Sequence, residues 1–225
     1  MAGLFAAIEL LDQRSSPGSP ALNMAMDEAL LAGLGEIPVL RVYRWRAPAV
    51  SFGYFLPSDA ARQLAGERPV IRRWTGGGMV EHGRDFTWSL IVPADCPVHS
   101  LRPRDAYGAL HGAVVRALGQ AGIAATQVPL DLPAPAGGLC MTAPAPGDVI
   151  FAGRKIAGAG QRRTRAGLLH QGTIGGVELP ESFPRLLAAT LADEMTAFPQ
   201  ERIPAVEAAA LVESRYGTEA WLNLR

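Results

Sequence analysis

Residues 148–174 read DVIFAGRKIAGAGQRRTRAGLLHQGTI, and this stretch predicts three successive strands. DVIFA (148–152) and RKIAGAGQRRT (154–164) are extended runs joined by a turn at Gly153, which is typical of a hairpin. GLLHQGTI (167–174) follows after a short break as a further strand. Because strands joined by short turns pair antiparallel, the stretch indicates a largely antiparallel sheet.

Outward from this stretch, strands and helices alternate irregularly. Further strands are predicted at 4–11, 39–45, 49–55, 69–74 and 86–93. Helices are predicted from Ser19-Pro20 to Gly33, over 58–65 with Ser58 as its cap, and near 104–121, 180–193 and 204–216. Residues 130–147 are rich in Pro, Ala and Gly and predict a long irregular loop. The pattern favours an α+β fold, a mixed and largely antiparallel sheet flanked by helices, in a single domain over residues 1–225.

Composition excludes several classes of partner. Hydrophobic residues make up 48% of the 225 residues and charged residues 19%, as in an ordinary globular protein. Lys+Arg and Asp+Glu balance at 21 each, so we expect neither a nucleic-acid nor a membrane partner. The apolar N-terminus lacks a basic region, and the two cysteines show neither disulfide nor metal-ligand spacing. We therefore expect a cytoplasmic protein without a metal site.

Lys155 is the single lysine beside 20 arginines. Compositional bias explains why arginine supplies the other positive charges, but the same bias would have removed a dispensable lysine. The retained residue is therefore a candidate for a role that needs a compact ammonium.

The run RRWTGGGMVEH (72–82) places three consecutive glycines after a predicted strand. Such a triplet fits a site where a ligand approaches the main chain or where N–H groups converge on an anion. A strained turn at a sheet edge is the alternative. The run is not a phosphate-binding Walker loop, because the Gly-Lys-Ser/Thr ending is missing.

Gly158 and Gly160 recur at strand period, so both are expected on one face of the strand, leaving it flat and open for a slender ligand. They do not form a dinucleotide fingerprint, which needs a third glycine. A lone histidine on a strand, such as His170, is usually structural. His111 shares the apolar face of its helix with Tyr107 and is expected to be packed there.

NMAMDEALL (23–31), RRWTGGGMVEH, GRKIAGAGQRR and LLHQGTI together resemble the lipoate–protein ligases and octanoyltransferases of the biotin/lipoate protein ligase superfamily. The resemblance covers residues 20–176. It implies a fold like that of biotin ligases and class II tRNA synthetases. It also implies an enzyme that attaches an octanoyl or lipoyl group to a lysine of a lipoyl-carrier protein.

The resemblance implies roles for individual residues. Lys155 matches the family's essential lysine, which contacts the activated acyl carbonyl, and Cys140 resembles the nucleophile of one octanoyltransferase group. The residues implied in substrate binding are Arg72, Arg73, Thr75, Gly76, Gly77, Gly78, His82, Gly158, Gly160, His170, Gly172 and Thr173. An acidic residue usually follows the histidine in this family, but Gly83 stands there, which leaves the polar network of His82 in doubt.

Two chemistries remain open from the sequence. A transferase takes octanoyl from an acyl carrier protein through a cysteine thioester and needs no cofactor; Cys140 favours it, although a small hydrophobic side chain in a loop is the alternative for that residue. A ligase uses free lipoate, ATP and Mg²⁺, and Gly78 favours it. The absence of a C-terminal accessory domain argues against a ligase unless a separate subunit supplies it. A non-catalytic lipoyl- or acyl-binding relative is the third candidate.

Overall fold

The computed structural model describes residues 3–133 and 144–224. Its strands are β1 (Phe5–Gly18), β2 (Val39–Trp45), β3 (Ala49–Phe52), β4 (Val70–Arg72), β5 (Met79–His82), β6 (Phe86–Pro93), β7 (Thr126–Gln127), β8 (Val149–Phe151), β9 (Arg154–Arg163), β10 (Gly167–Ile174) and β11 (Ala192–Ala197). Its α-helices are α1 (Pro20–Ala32), α2 (Ser58–Ala65), α3 (Pro97–Ser100), α4 (Pro103–Gln120), α5 (Phe183–Leu191), α6 (Ala205–Leu211) and α7 (Glu219–Leu222). A 3₁₀ turn covers Gln200–Arg202, and a π-helical segment covers Val212–Tyr216.

The strands form two sheets. The larger has the order β11-β1-β2-β6-β10-β9-β8-β7. In it β1 pairs parallel with β11 and β2, and the other neighbouring pairs are antiparallel. In the smaller sheet, β3 pairs parallel with β4 and antiparallel with β5. The predicted α+β fold with a mixed, largely antiparallel sheet is confirmed.

Helices cover both faces of the larger sheet. Because side chains alternate along a strand, Leu168 packs into the core beneath α4 and α5, whereas Leu169 packs into the core beneath α1 and α6. Trp88 on β6 belongs to the first core, and Ile91 on the same strand belongs to the second. Two apolar layers therefore hold the sheet from opposite sides.

Local sequence signals set several boundaries correctly. Ser19 caps α1, its hydroxyl accepting a hydrogen bond from the N–H of Leu22 at 3.3 Å, with proline at the first helical position. The β8–β9 hairpin turns at Ala152 and Gly153, whose φ values are 48° and 74°. Two positive φ values in succession match the twist of the flanking strands, so the predicted turn at Gly153 is confirmed.

Other boundaries differ from the prediction. Ser58 is the first residue of α2 and Pro57 occupies the cap position, without a side-chain hydrogen bond. The predicted helix over 180–193 ends at Leu191, and the chain continues into β11, a strand with mostly exposed side chains. The side chains of β11 do not alternate between buried and exposed, so its sequence lacks the pattern that predicts a strand. Its backbone pairing with β1 forms the strand instead.

Arg72 anchors the C-terminal end of the described chain. Its guanidinium donates hydrogen bonds to five carbonyl oxygens, those of Tyr54, Leu56, Trp221, Leu222 and Leu224, at 2.5 to 3.3 Å. The residue is 1% exposed, and its side chain does not line the cavity described below. The prediction that Arg72 binds substrate is therefore corrected to a structural role, in which a forked cation satisfies carbonyls at the end of α7.

Replacing Arg72 is expected to act on stability. Arg72→Gln removes most of these bonds, so the free energy of unfolding should fall by about 2–4 kcal/mol in urea denaturation. Arg46→Gln, at an exposed arginine without such bonds, should stay within about 0.5 kcal/mol of wild type. Unchanged stability in Arg72→Gln would contradict the structural assignment.

Candidate active site

A cleft of about 1100 Å³ opens between the larger sheet and the smaller one. Ten of the predicted site residues line it: Arg73, Gly76, Gly77, Gly78, His82, Lys155, Gly158, Gly160, Gly172 and Thr173. The volume is that of a small-molecule site, and its lining mixes apolar side chains with a few charged ones. Thr75 and His170 lie behind its walls.

Lys155 lies on β9 and pairs with Asp148, which immediately precedes β8. The hairpin brings Lys155 Nζ to 2.7 Å from Asp148 Oδ2. The lysine side chain lies over Gly158, where an added Cβ would be 2.8 Å from Lys155 Cε and 2.9 Å from its Nζ. The bare backbone at Gly158 thus makes room for the catalytic candidate itself. The expectation that this face is left flat and open is corrected at Gly158.

Asp148 is 1% exposed, and three donors bind its carboxylate. Besides Lys155, the Tyr107 hydroxyl donates to Oδ1 at 2.6 Å and the N–H of Ala145 donates to Oδ2 at 2.7 Å. Burial and the Asp148 charge raise the pKa of Tyr107 well above its ordinary value, so the phenol stays protonated as a donor. Its oxygen also accepts the N–H of Ala159 at 3.0 Å. A hydrogen-bonded carboxylate therefore holds the ammonium in a defined position.

The glycine loop, residues 76–78, packs against bare backbone on two sides. A Cβ on Gly160 would lie 2.3 Å from the carbonyl oxygen of Gly76, and one on Gly53 would lie 2.1 Å from that of Gly77. Gly77 has a φ of +96°, in the region that favours glycine. The close approach of the loop carbonyls to Gly53 and Gly160 explains these glycines better than a turn at a sheet edge does. At Gly160 the loop itself, and not a ligand, occupies the space next to the strand.

Arg73 holds the loop from beneath. Its Nη2 donates to the carbonyl oxygens of Gly76 at 3.2 Å and Gly78 at 2.8 Å, and its Nη1 donates to Ser51 Oγ at 2.7 Å. Burial lowers the pKa of Arg73 to about 10, which leaves it charged at neutral pH. The loop carbonyls are thereby engaged on the protein side.

Both ring nitrogens of His82 are hydrogen-bonded. Nε2 lies 2.7 Å from Ser51 Oγ, Nδ1 lies 2.7 Å from Asp85 Oδ2, and the ring stacks on Trp45 with centroids 4.0 Å apart. Burial lowers the pKa of His82, and the hydrogen bond that its Nδ1–H donates to Asp85 opposes that shift. We assign the neutral tautomer with its proton on Nδ1, so that the Ser51 hydroxyl donates to Nε2. The ring thus shapes the wall and is not a free base.

Asp85 is the acidic partner that the sequence left in doubt. It follows His82 by three residues, and the glycine between them donates its N–H to Oδ1 at 2.9 Å. Burial would raise the pKa of Asp85, but hydrogen bonds from His82, the Thr173 hydroxyl and Gly83 N–H outweigh it and lower the pKa to about 2. The polar network of His82 is therefore complete.

Two predicted binding residues act behind the cavity wall. Thr75 donates its hydroxyl to Gln171 Oε1 at 2.7 Å and supports the glycine loop. His170 is fully buried; Nδ1 lies 3.1 Å from the amide nitrogen of Gln161, which lines the cavity. The prediction of direct substrate contact is corrected for both residues.

The structure describes one of the two cysteines, Cys96. Cys140 lies outside the described residues. Cys96 is partly buried, and burial raises the pKa of its thiol, which makes it a poor nucleophile.

Sequence reasoning missed five polar residues of the site, namely Ser51, Asp85, Tyr107, Asp148 and Gln171. Asp148 and Lys155 belong to one hairpin, in which Val149 pairs with Ala157 and Ile150 with Lys155, so this contact is local in the sequence. Asp85 meets His82 locally, three residues along the chain, whereas Ser51, Tyr107 and Gln171 meet their partners through tertiary contacts.

Within residues 3–133 and 144–224, no three His, Cys, Asp or Glu side chains come together in a way that could hold a metal ion. In the same part of the chain, no helix has the length and apolar character to cross a membrane.

Acid is expected to destabilise the protein through its buried histidines. Burial lowers the pKa of His111 from 6.5 to about 4, so the unfolded chain binds a proton that the folded chain excludes. Stability is fully present above pH 6.5 and should fall by up to about 3 kcal/mol as pH drops to 4, since each pKa unit is worth 1.36 kcal/mol. Urea denaturation at pH 7 and pH 5 measures it, and His111→Asn should flatten the dependence. If the stability of His111→Asn fell with pH as steeply as that of wild type, the loss would come from groups other than His111.

Comparison with known proteins places this geometry in a family. The chain matches the Lipoyl protein ligase A/B catalytic domain over residues 19–199. It is 33% identical over 200 residues to the octanoyltransferase LipM of Bacillus cereus, covering 82% of this chain and 68% of that protein. It is 35% identical over 167 residues to the octanoyltransferase LipM of Oceanobacillus iheyensis, covering 71% of this chain and 61% of that one. The chain thus spans roughly two thirds of the length of these relatives.

Solved structures share the fold. Protein Ta0514 from T. acidophilum, with bound lipoic acid, has a TM-score of 0.73 at 22% identity and covers 98% of this chain and 100% of its own. A chain from the bi-partite lipoate protein ligase and E2 lipoyl domain of Thermoplasma acidophilum has a TM-score of 0.63 at 21% identity, covering 98% and 97%. With the match over residues 19–199, the comparisons show that this chain belongs to the lipoyl protein ligase A/B catalytic-domain family.

Proposed function

We propose that this protein transfers an octanoyl or lipoyl group to a specific lysine of a lipoyl-carrier protein through a thioester on Cys140. The observation that carries the proposal is the cavity with Lys155 held by Asp148 at 2.7 Å, in a chain of this family. Relatives named octanoyltransferase support octanoyl as the group transferred, and an acyl carrier protein is the donor that we propose for it.

The cavity suits an acyl chain. Its lining includes the apolar side chains of Met24, Trp45, Met79 and Ile156. Each methylene of an octanoyl chain buried against such walls contributes about 0.8 kcal/mol. The chain would therefore be bound by burial, and its carbonyl would be left at the polar part of the cavity.

Lys155 is suited to stabilise the reacting carbonyl. Attack on a thioester creates a tetrahedral intermediate with negative charge on the former carbonyl oxygen. A fixed ammonium stabilises that charge most effectively when it needs no reorganisation, and the bond to Asp148 supplies the fixed position.

The reaction proposed has two transfers. In the first, the Cys140 thiolate attacks the donor thioester, a new C–S bond forms, and the carrier thiolate leaves and takes up a proton. In the second, the acceptor lysine amine attacks the thioester on Cys140, an amide forms, the amine loses a proton and the Cys140 thiolate is regenerated. No cofactor enters either step.

An ATP-dependent lipoate–protein ligase is the second candidate. Gly78 favours it, because three glycines in this loop are typical of the ligases that the sequence resembles. In that reaction ATP and Mg²⁺ are consumed with free lipoate to form lipoyl-adenylate, and Lys155 would contact the same carbonyl. A non-catalytic acyl-binding relative would bind lipoate or an octanoyl group and transfer neither.

A covalent adduct on Cys140 decides between these candidates. We expect the protein, incubated with octanoyl-acyl carrier protein, to gain one octanoyl group that hydroxylamine removes, as measured by intact mass. Cys140→Ser should gain none, whereas Cys96→Ser should be acylated like wild type because the thiol of Cys96 is partly buried.

Other outcomes are equally informative. Labelling that persists in Cys140→Ser would overturn the thioester on that residue. No adduct, together with lipoate-dependent pyrophosphate release from ATP, would establish the ligase. Binding without either reaction would establish the non-catalytic relative.

The role of Lys155 is tested separately, in single-turnover transfer from the pre-acylated enzyme to the lipoyl carrier. Lys155→Met keeps the side-chain length without the charge and should slow transfer about 10²–10³-fold. Lys155→Arg should remain well below wild type, because a planar guanidinium cannot occupy the position of the ammonium. Arg185→Met, on the exposed side of α5, is the control for loss of a positive charge. A wild-type rate in Lys155→Met would remove the lysine from the mechanism.

A further inference from the structure

Helix α4 lies beside the cavity, which its residues Arg104 and Tyr107 line. Arg104, Tyr107, Gly108 and His111 are spaced three, four and seven residues from the first, so they lie on one side of the helix. Each of them contacts the chain on one side or the other of residues 134–143, the stretch that carries Cys140 in the sequence. A helix face of this kind is expected to be apolar, but three of the four residues here have polar side chains and the fourth is glycine.

Two side chains of this face hold the downstream contact, Gly147-Asp148. Tyr107 donates its hydroxyl to Asp148 Oδ1 at 2.6 Å, and His111 Nδ1 lies 2.7 Å from the carbonyl oxygen of Gly147. Gly147 has a φ of +87°, and a Cβ there would lie 2.6 Å from the Tyr107 ring. Gly147 and Asp148 are thus hydrogen-bonded to side chains on two successive turns of α4.

The upstream contact is held by the same face. Arg104 Nη2 donates to the carbonyl oxygen of Leu132 at 2.8 Å. Leu130 packs against bare backbone at Gly108, where a Cβ would lie 2.5 Å from Leu130 Cδ1. Gln127 Nε2 joins the two contacts, donating to the carbonyl oxygens of Gly108 at 2.9 Å and Gly147 at 3.3 Å.

His111 is more than a packed ring. Because its Nδ1 faces a carbonyl oxygen, Nδ1 must carry the proton and Nε2 must be a bare acceptor. This Nε2 is buried and has no hydrogen-bond partner among the described residues. An apolar residue at position 111 would avoid that unfavourable burial, so the bond to Gly147 is what the histidine contributes.

We propose that Tyr107 and His111 are positioning residues, which act through Gly147-Asp148 to set the Lys155 ammonium for acyl transfer. The inference rests on the proposed function for its kinetic consequence. Its geometric part, the dependence of the Asp148–Lys155 pair on α4, stands on contacts between described residues. Neither side chain needs to touch the reacting atoms.

The kinetic test separates positioning from folding. Tyr107→Phe should lower kcat for octanoyl transfer about 10- to 100-fold with KM for the lipoyl carrier unchanged, because small displacements of a catalytic group act on the chemical step. Tyr216→Phe is the matched control, since it also removes a buried hydroxyl, which donates to Glu28 at 2.6 Å far from the cavity. Equal kcat in the two variants would overturn the role of Tyr107.

His111 is tested by rescue. The amide nitrogen of asparagine can take the place of histidine Nδ1, so His111→Asn keeps the donor to Gly147 and should retain most of the wild-type kcat. His111→Leu fills the space without a donor and should lose about tenfold. Loss of activity to the same extent in both variants would show that the bond to Gly147 is not what matters.

A second readout does not depend on acyl transfer. Because Lys155 is the single lysine, its reaction with acetic anhydride is followed directly by peptide mass, apart from the N-terminal amine. Asp148→Asn, which removes the counter-ion, marks the fast limit. Tyr107→Phe and His111→Leu should label at rates between wild type and Asp148→Asn, and His111→Asn at the wild-type rate.

The two readouts distinguish the two proposals. If wild type transfers no octanoyl group, the proposed function fails while the labelling series still tests the positioning. If Tyr107→Phe and His111→Leu label at the wild-type rate, the positioning by α4 is wrong even if the enzyme is active.

Discussion

The buried carboxylate of Asp27 is the interaction on which the rest of the site depends. From α1 it accepts hydrogen bonds from Arg41 on β2, Ser89 on β6 and Gln171 on β10, at 2.7, 2.6 and 2.7 Å. A buried charge is strongly destabilising unless it is paired, so α1 can dock on these three adjacent strands in one way only. Gln171 also accepts the hydroxyl of Thr75 at 2.7 Å, and the glycine loop takes its position from the same network.

Three buried carboxylates each hold a different part of the cavity lining in position. Asp27 supports the wall formed by β10 and the glycine loop, Asp85 orients His82, and Asp148 holds Lys155. Each accepts several hydrogen bonds, so each serves as a fixed anchor. In the proposed mechanism the reacting groups are the thiol, the donor carbonyl and the amine of the acceptor, and the protein contributes a preorganised charge.

The sequence motifs identified the segments that form the site. They did not distinguish residues that line the cavity from residues that lie behind it and hold them in place. Arg72 and Arg73 are adjacent at the end of β4, and neighbouring side chains of a strand point to opposite sides, so only one of them can face the cavity. The same applies to His170 and Gln171 on β10. Alternation along the strand, applied to the motif residues, would have flagged that conflict. It would not have told which member of each pair faces inward, since that depends on which face of the sheet the small sheet covers.

The sequence by itself determined the elements with strong local signals, such as the capped start of α1 and β10 over Gly167–Ile174, together with the family motifs. Only the tertiary structure decided which polar groups meet. Tyr107 and Asp148 are 41 positions apart, and Thr75 and Gln171 are 96 apart. Such pairs leave no trace in local periodicity, because their geometry follows from how helices dock on the sheet, and docking is set by burial and by the pairing of charges across the whole chain.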